Sequence, residues 1–506
     1  MKRAVVAAVA VVLLLAACSS DDKRNAGAAS SASGSNAAGS KVGALKRPNG
    51  PAADLSQELT GGNGVFIGAA SAADLAGTKY VEHEFVASGT ASSYAAGDQP
   101  ADGRWTFTVD GTAAYRTRVL VRRPANAADF SGTFVVEWLN VSGGVDANPD
   151  YANLAEEIVR SGDAWVGVSA QRIGVEGGPV LVSAPGGQGL AGQGLKAIDP
   201  ARYGSLSHPG DGFSFDIFTQ VARALRAGGP AMGDLEPQRV LAAGESQSAI
   251  ALTTYYNGVQ PLALAFDGFF VHSRGAPSLP LVGPGQSADL AGSIGRAPAL
   301  FRSDLDAPVF DIQTESDVTG ILNSVVVRQP DTDHFRLWEM AGTAHADKRL
   351  LGPTADQLDC GAPVNNGPMH LIAKSALRHL DEWVRTGVAP PVAPRFELTG
   401  ADKPETSRDA DGIAIGGVRT PVVDVPVDVV SGVPGPNGSL LCLLLGSTKP
   451  LPAERLAALY PTHAAFVAQF SKAVDALERS GYLLKPEADQ ARQAAEQSRI
   501  GKSLNP

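Results

Sequence analysis

The chain has 506 residues, of which 44% are apolar and 19% are charged, so it can bury a substantial core. Its net charge is −10 and no basic run follows the N-terminus, which argues against a nucleic-acid partner. The length would allow two or three domains, but large α/β proteins often keep one core with insertions. We predict a single domain over residues 52–506.

The N-terminal residues have the pattern of an export signal. Lys2 and Arg3 precede an apolar stretch over residues 4–17, which is shorter than the roughly 20 residues of a membrane span. The stretch ends in Leu-Ala-Ala before Cys18 and resembles the bacterial lipobox. The resemblance implies that a signal peptide, residues 1–17, is removed and that the Cys18 thiol is lipidated. We therefore expect an exported, extracytoplasmic protein held on the bacterial membrane by its lipid.

Residues 18–51 are rich in Ser, Ala, Gly and Asn and poor in large apolar side chains. Such a segment cannot bury a core, so we expect a disordered tether between the lipid and the folded domain.

The first half of the domain reads as strands that alternate with helices. Alternating or continuous apolar patterns predict strands over residues 81–86, 115–121, 133–139 and 164–169, with a helix over 153–160. Residues 174–209 are rich in Gly, Pro and Ser, and we expect an irregular insertion that covers another part of the molecule.

The second half continues the same alternation. Helices are predicted over residues 213–226 and 369–385, strands over 240–243, 265–271, 308–313 and 335–340, and a helical extension over about 451–506. This order predicts the α/β class: a mostly parallel sheet that begins with antiparallel strands and has helices on both faces.

Ser246 lies between the strand at residues 240–243 and a helix-compatible run from Ala249. Strand, tight turn with Ser at its apex, then helix is the context of the G-x-S-x-G nucleophile elbow. The last Gly of that motif is replaced here by Ser248. Ser246 is therefore a candidate nucleophile, and this assignment requires a base and an acid later in the chain.

A serine hydroxyl needs a base, and the base needs an acid that orients it. In this type of fold the chain order is Ser, then Asp or Glu, then His. His345 directly follows the strand at 335–340 and is flanked by small residues, whereas His272 comes too early in that order. For the acid, the loop after the strand at 308–313 offers Asp317 and, as an alternative, Glu315.

The negative charge of a tetrahedral intermediate needs two backbone N–H donors. One is expected from Gln247, the residue after the candidate nucleophile. The other is expected from the loop after the strand at 133–139, where Val141 is the first choice and Asn140 the second.

These segments resemble the bacterial "alpha/beta hydrolase domain" proteins of the esterase superfamily. The resemblance rests on four segments in particular: residues 136–144, the Gly-Glu-Ser-Gln-Ser-Ala elbow, the Thr-Glu-Ser-Asp loop at 314–317, and residues 340–347. It extends from about residue 65 to the C-terminus and implies an α/β-hydrolase fold, one continuous domain and serine hydrolase chemistry. The substrate that we expect is a small-molecule ester, which the resemblance itself does not specify.

The expected reaction is hydrolysis of a carboxylic ester through an acyl-enzyme on Ser246, without a metal or organic cofactor and without an obligate protein partner. An acyltransferase or a peptidase with the same triad, or a non-catalytic surface binding protein, are the alternatives. With Cys18 lipidated, Cys360 and Cys442 remain, and an exported protein with two cysteines suggests one disulfide. The alternative is two separate buried thiols.

Overall fold

The computed structural model of the chain describes residues 49–68, 75, 77–183, 189–229 and 231–502. These residues fall within one compact unit, residues 47–506. The predicted signal peptide, Cys18 and nearly all of the tether lie outside the described residues, so the predicted domain boundaries stay predictions. Within the described ranges, no helix is both long and apolar enough to cross a membrane.

A nine-stranded sheet forms the centre of the molecule. Its strands, in chain order, are β1 (Asp54–Glu58), β2 (Tyr80–Ala96), β3 (Phe107–Pro124), β4 (Thr133–Trp138), β5 (Ala164–Val168), β6 (Arg239–Glu245), β7 (Gly268–His272), β8 (Val309–Thr314) and β9 (Phe335–Met340). The order across the sheet is β1-β2-β3-β5-β4-β6-β7-β8-β9. Pairings up to β3–β5 are antiparallel, and all later pairings, from β5–β4 to β8–β9, are parallel. The predicted α/β fold class is confirmed.

Helices connect the strands and extend the chain beyond the sheet. They are α1 (Pro149–Ser161), α2 (Arg172–Glu176), α3 (Gly194–Ile198), α4 (Pro200–Tyr203), α5 (Ser214–Ala227), α6 (Gln247–Thr254), α7 (Gln260–Ala263), α8 (Leu290–Ser293), α9 (Glu315–Thr319), α10 (Lys348–Leu351), α11 (Met369–Thr386), α12 (Pro421–Asp424), α13 (Leu440–Leu444), α14 (Ala453–Leu459), α15 (His463–Arg479) and α16 (Lys485–Gln497). A π-helical turn, Tyr255–Val259, joins α6 to α7, and 3₁₀ turns occupy Ala127–Asp129, Asp211–Phe213, Ser324–Val327 and Gly352–Gln357. Two short antiparallel pairs complete the described structure: β10 (Leu398–Thr399) with β11 (Glu405–Thr406), and β12 (Asp428–Ser431) with β13 (Ser447–Pro450).

The interior strands are apolar on both faces because helices cover both sides of the sheet. Side chains alternate along a strand, so consecutive residues of β6 enter different cores. Val240 and Ala242 pack with residues of α5 and α6. Leu241 and Ala243 pack with residues of α1 and α11 and with the C-terminal helices α15 and α16. This two-sided burial explains the continuous apolar run that predicts the strand.

Several elements differ from their predictions: β2 and β3 are longer than predicted, and three further differences stand out. The helix predicted from residue 153 begins at Pro149, because the buried Glu137 carboxylate accepts the N–H groups of Asp150 and Tyr151 and so caps its first turn. The strand predicted from residue 265 begins at Gly268. The insertion at 174–209 is less irregular than expected, since it contains the end of α2, and all of α3 and α4.

Cys360 and Cys442 form a disulfide, as predicted. Both cysteines are buried in a small apolar cluster that also holds Leu445. The bond closes a long segment, since the two cysteines are 82 residues apart in sequence. It therefore ties α13 to the segment that follows β9.

Candidate active site

Ser246 occupies a sharp turn between β6 and α6. Its backbone has φ 60° and ψ −120°, a left-handed conformation that is rare for a residue with a side chain. The turn is held by a hydrogen bond from the Ser246 N–H to the carbonyl of His272 at the end of β7, 2.9 Å long. Strain of this kind concentrates at functional sites and is the geometry of a nucleophile elbow.

Close packing across this turn explains its small residues. A Cβ added to Gly244 would lie 3.0 Å from the Ser248 carbonyl carbon and 3.1 Å from the Ser248 Cβ. Ser248 itself is completely buried, and no hydrogen-bond partner of its hydroxyl is found among the described residues. The turn is thus tightly packed, and the absence of a side chain at Gly244 leaves room for the small side chain of Ser248.

His345 lies in the loop that follows β9 and reaches Ser246. The His345 Nε2 and the Ser246 Oγ are 2.8 Å apart. The same loop packs closely against Val423 and Val430 at Gly342, which has φ 71° and where a Cβ would lie 2.7 Å from side-chain atoms of both residues. The structure therefore brings the predicted base to the predicted nucleophile.

Asp317 lies on the opposite side of the imidazole ring. Its Oδ1 is 2.8 Å from His345 Nδ1, and its Oδ2 accepts hydrogen bonds from the N–H and hydroxyl of Thr314. Burial raises the pKa of this carboxyl, but the charge and hydrogen bond of His345, with the hydroxyls of Ser273 and Thr314, outweigh it and lower the pKa below its usual range. Because an ionised carboxylate only accepts hydrogen bonds, Nδ1 carries a proton and Nε2 is free to accept one from Ser246.

Glu315, the alternative acid, does not contact the His345 side chain in this structure. Its Oε1 accepts hydrogen bonds from Arg408, Ser431 and the N–H of Gly432, and its Oε2 accepts one from the N–H of Gly342. Glu315 therefore ties the histidine loop to the segment around β12. The geometry favours Asp317 over Glu315 as the partner of His345.

Ser316 completes this contact between the two loops. Its hydroxyl accepts a hydrogen bond of 2.8 Å from the His345 N–H. Ser316 and Asp317, neighbours in α9, thus hold the backbone and the side chain of the same histidine. Sequence reasoning did not single out Ser316, because Ser in a loop carries no specific signal.

The loop after β4 places one backbone donor toward the elbow. The Val141 N–H is 3.4 Å from the Gln247 side-chain oxygen, a long hydrogen bond that a substrate oxygen could replace. Gln247 is the first residue of α6, so its own N–H has no acceptor within the helix. These two N–H groups are the pair that the sequence predicts for an oxyanion.

Asn140, the second choice for an oxyanion donor, has another role in the structure. Its N–H donates to the carbonyl of Ala147 at 2.8 Å, and its side-chain amide donates to the carbonyl of Glu245. The amide oxygen also accepts the N–H of Ser142. The N–H of Asn140 is therefore already used in a hydrogen bond to Ala147, and the Asn140 side chain holds the loop against the elbow.

A cleft of about 570 Å³ opens above Ser246 and His345. Most of its surface is apolar. Among the described residues, its walls include the loop after β4 with residues 181–183, 190 and 191, the segment after His345, and α13. Sequence reasoning expected a covering role for the insertion, and residues 181–183, 190 and 191 do line the cleft. The leucines of α13 were not anticipated.

A second cluster of polar groups is buried beside the elbow. Glu245, Asp150 and His272 each offer one ligand atom, and these atoms lie within 4.8 Å of one another. In the structure, however, both ring nitrogens of His272 have partners: Nδ1 lies 2.9 Å from Asp150, and Nε2 lies 3.3 Å from the Met369 sulfur. A metal ion would have to break the hydrogen bond to Asp150.

Burial raises the pKa of Glu245 well above its usual range, and the nearby carboxyl groups of Asp150 and Glu137 raise it further. Burial thus disfavours the ionised form of Glu245, which lies directly next to the candidate nucleophile. The sequence signal that could have pointed to it is a charged residue directly after the apolar and small residues 240–244.

The sequence model of the family described as "Alpha/beta hydrolase domain" matches residues 49–493. The chain belongs to this family. Membership agrees with the resemblance stated from sequence and supports hydrolase chemistry in general. That this chain is a lipoprotein remains a prediction.

No curated protein matches the chain. Similar solved structures include an a/b serine hydrolase without a lid from Xanthomonas campestris, with 14% identity, 57% of this chain and 94% of that chain covered, and a TM-score of 0.28. An esterase from Rhizomucor miehei has 10% identity, covers 61% and 85%, and has a TM-score of 0.30. Carboxyl esterase 2 from Tuber melanosporum has 12% identity, covers 57% and 86%, and has a TM-score of 0.27. At these scores the likenesses say nothing about the substrate of this hydrolase-family chain.

Proposed function

We propose that the protein is a serine hydrolase that cleaves carboxylic esters through an acyl-enzyme on Ser246. The observation that carries the proposal is the continuous chain of hydrogen bonds from Ser246 Oγ through His345 to Asp317, with 2.8 Å at each step. This chain opens onto the apolar cleft. A nucleophile, a base and an orienting acid in this arrangement are what acyl transfer to serine requires.

In the first half-reaction, Ser246 Oγ attacks the acyl carbonyl carbon while His345 Nε2 takes the hydroxyl proton. The Asp317 carboxylate stabilises the imidazolium that forms. The N–H groups of Gln247 and Val141 donate hydrogen bonds to the oxyanion of the tetrahedral intermediate. As the carbon–oxygen bond to the alcohol breaks, His345 returns the proton to the departing oxygen, which leaves as a neutral alcohol.

In the second half-reaction, water takes the place of the alcohol. His345 Nε2 accepts a proton from water as the water oxygen attacks the acyl carbon. The same two N–H groups stabilise the second tetrahedral intermediate. Breaking the bond to Ser246 Oγ releases the carboxylic acid, and the proton on His345 returns to the serine.

An uncharged small-molecule ester is the substrate class that the cleft favours. A pocket of this size is within the usual range for small-molecule sites, and apolar walls give no compensation for a buried charge. No residue of this proposed mechanism needs a metal or an organic cofactor.

Hydrolysis of p-nitrophenyl acetate and butyrate tests the proposal. Ser246→Ala should abolish turnover while the protein stays folded by circular dichroism. Ser248→Ala is the matched control, because it removes a hydroxyl from the same turn that has no place in the mechanism. Turnover by Ser246→Ala at the wild-type rate would refute the assignment of the nucleophile.

We also propose that the protein is exported and held on the membrane through a lipid on Cys18. The N-terminal sequence supports this proposal, and a disulfide between Cys360 and Cys442 suits an oxidising compartment outside the cytoplasm. Cys18→Ser should move the protein from the membrane fraction to the soluble fraction. Continued sedimentation of the variant with membranes would contradict lipid anchoring.

A further inference from the structure

The short helix α13 contributes one apolar wall of the cleft. Leu440, Leu441 and Leu444 line it, and each of these side chains is only partly buried. Leu443, the remaining leucine of α13, does not line the cleft. Partly exposed leucines that face a cleft with a candidate nucleophile present an apolar surface that a ligand can cover.

This wall is attached directly to the candidate base. The N–H of Ala346, the residue after His345, donates to the carbonyl of Leu444 at 3.2 Å. Leu350 and Leu351, at the end of α10, also line the cleft, and Leu351 packs against the same apolar cluster as Leu441. We refer to Leu350, Leu351, Leu440, Leu441 and Leu444 as the leucine wall.

A second wall of the cleft is attached to the oxyanion loop instead. The N–H groups of Leu181 and Val182 both donate to the carbonyl of Ser142, at 2.9 and 3.0 Å. Leu181, Val182 and Ser142 all line the cleft. The cleft thus has one wall joined to the proposed oxyanion donors and another joined to His345.

This arrangement separates the two parts of an ester. The carbonyl oxygen must lie at the oxyanion donors, and the departing oxygen must lie at His345 Nε2, which protonates it. We propose that the leucine wall binds the alcohol part of the ester, and that the substrates are esters of apolar, medium-chain alcohols. This inference rests on the proposed hydrolysis at Ser246 and adds to it the part of the substrate that α13 recognises.

The disulfide supports the wall from behind. Cys442 lies in the middle of α13 and is bonded to Cys360, and Leu441, Leu351 and Ala346 pack against the same cluster. A covalent tie at this point keeps the leucines in position before substrate arrives. Binding then costs less conformational entropy than it would on a mobile segment.

Chain-length series of esters test the proposal. Each buried methylene should raise kcat/KM about 3–4-fold until the wall is covered, so octyl acetate should exceed ethyl acetate by at least tenfold. The double variant Leu441→Ala, Leu444→Ala should lower this octyl-to-ethyl ratio roughly 10-fold. Leu443→Ala is the matched control on the same helix and should leave the ratio as in the wild type.

A second series separates the alcohol part from the acyl part. The ratio of kcat/KM for methyl octanoate over methyl acetate should be the same in the double variant as in the wild type. Equal loss in both series, or an unchanged octyl-to-ethyl ratio in the double variant, would overturn the proposal. Absence of hydrolysis of every ester by the wild type would instead refute the proposed function.

Discussion

His345 Nδ1 lies 2.8 Å from Asp317 Oδ1, and both side chains are buried. The Asp317 carboxylate has its pKa lowered despite its burial, chiefly by His345. It therefore stays ionised throughout the pH range in which histidine titrates, and it fixes the imidazole in the tautomer that can accept a proton from Ser246.

Asp317→Asn should lower kcat by roughly 10⁴-fold with little change in folding, because the amide no longer favours the required tautomer. Glu315→Gln is the matched control two residues earlier in the chain. It should lower kcat less than tenfold and instead reduce stability by about 1–3 kcal/mol, since it disturbs four hydrogen bonds, three of them buried. Steady-state kinetics and thermal melts measure both effects. Similar, small losses of kcat in the two variants would place the acid elsewhere.

The oxyanion role of Gln247 can be separated from its side chain. Proline is tolerated in the first turn of a helix but has no N–H, so Gln247→Pro deletes the proposed donor. We expect kcat to fall about 10²–10³-fold. Gln247→Ala keeps the N–H and should retain most of kcat. Equal activity of the two folded variants would exclude this N–H from the mechanism.

The close packing at the elbow predicts how a methyl group added at Gly244 changes the stability of the protein. Gly244→Ala should destabilise the protein by about 1–3 kcal/mol, because the new Cβ would lie within 3.1 Å of Ser248. Adding Ser248→Gly should restore only part of this loss, because the contact with the Ser248 backbone remains. Urea unfolding measures both changes. Full stability in Gly244→Ala alone would contradict the packing argument.

Asp347 gives the chain a pH-dependent stability term. Burial raises the pKa of this helix-capping carboxyl to about 6. In the folded state it thus holds its proton at higher pH than in the unfolded chain, where the value is near 3.8. The stabilisation of the folded state that comes from this proton is complete below pH 4 and is lost as the pH rises through 6.

Asp347→Asn keeps the cap but has no charge to bury. The free energy of unfolding of the variant, relative to that of the wild type, should rise between pH 4 and pH 6. At pH 8 it should exceed the wild-type value by about 2–3 kcal/mol. Denaturant unfolding at several pH values measures this difference. A difference that does not change with pH would show that Asp347 titrates at its ordinary pKa.

Chain order and strand periodicity carried most of the information about the fold and the candidate site. Continuous apolar runs predict the parallel strands because those strands are covered on both faces. The positions of Ser246, Asp317 and His345 relative to strand ends then predict that they meet, since parallel strands end at one edge of the sheet.

Features set by tertiary partners could not be predicted in this way. The helix α1 starts earlier than its periodicity shows, because Glu137 from a neighbouring strand caps it. The choice between Val141 and Asn140 depends on a bridge to Ala147 that no local pattern encodes. The leucine wall combines α10 and α13, and these helices meet only in the folded chain.

Labelling with a fluorophosphonate, followed by peptide mass spectrometry, tests the central claim most directly. The account predicts one phosphonyl adduct per chain, on Ser246, that is lost in Ser246→Ala and kept in Ser248→Ala. An adduct on another residue, or no adduct on a preparation that hydrolyses esters, would contradict it.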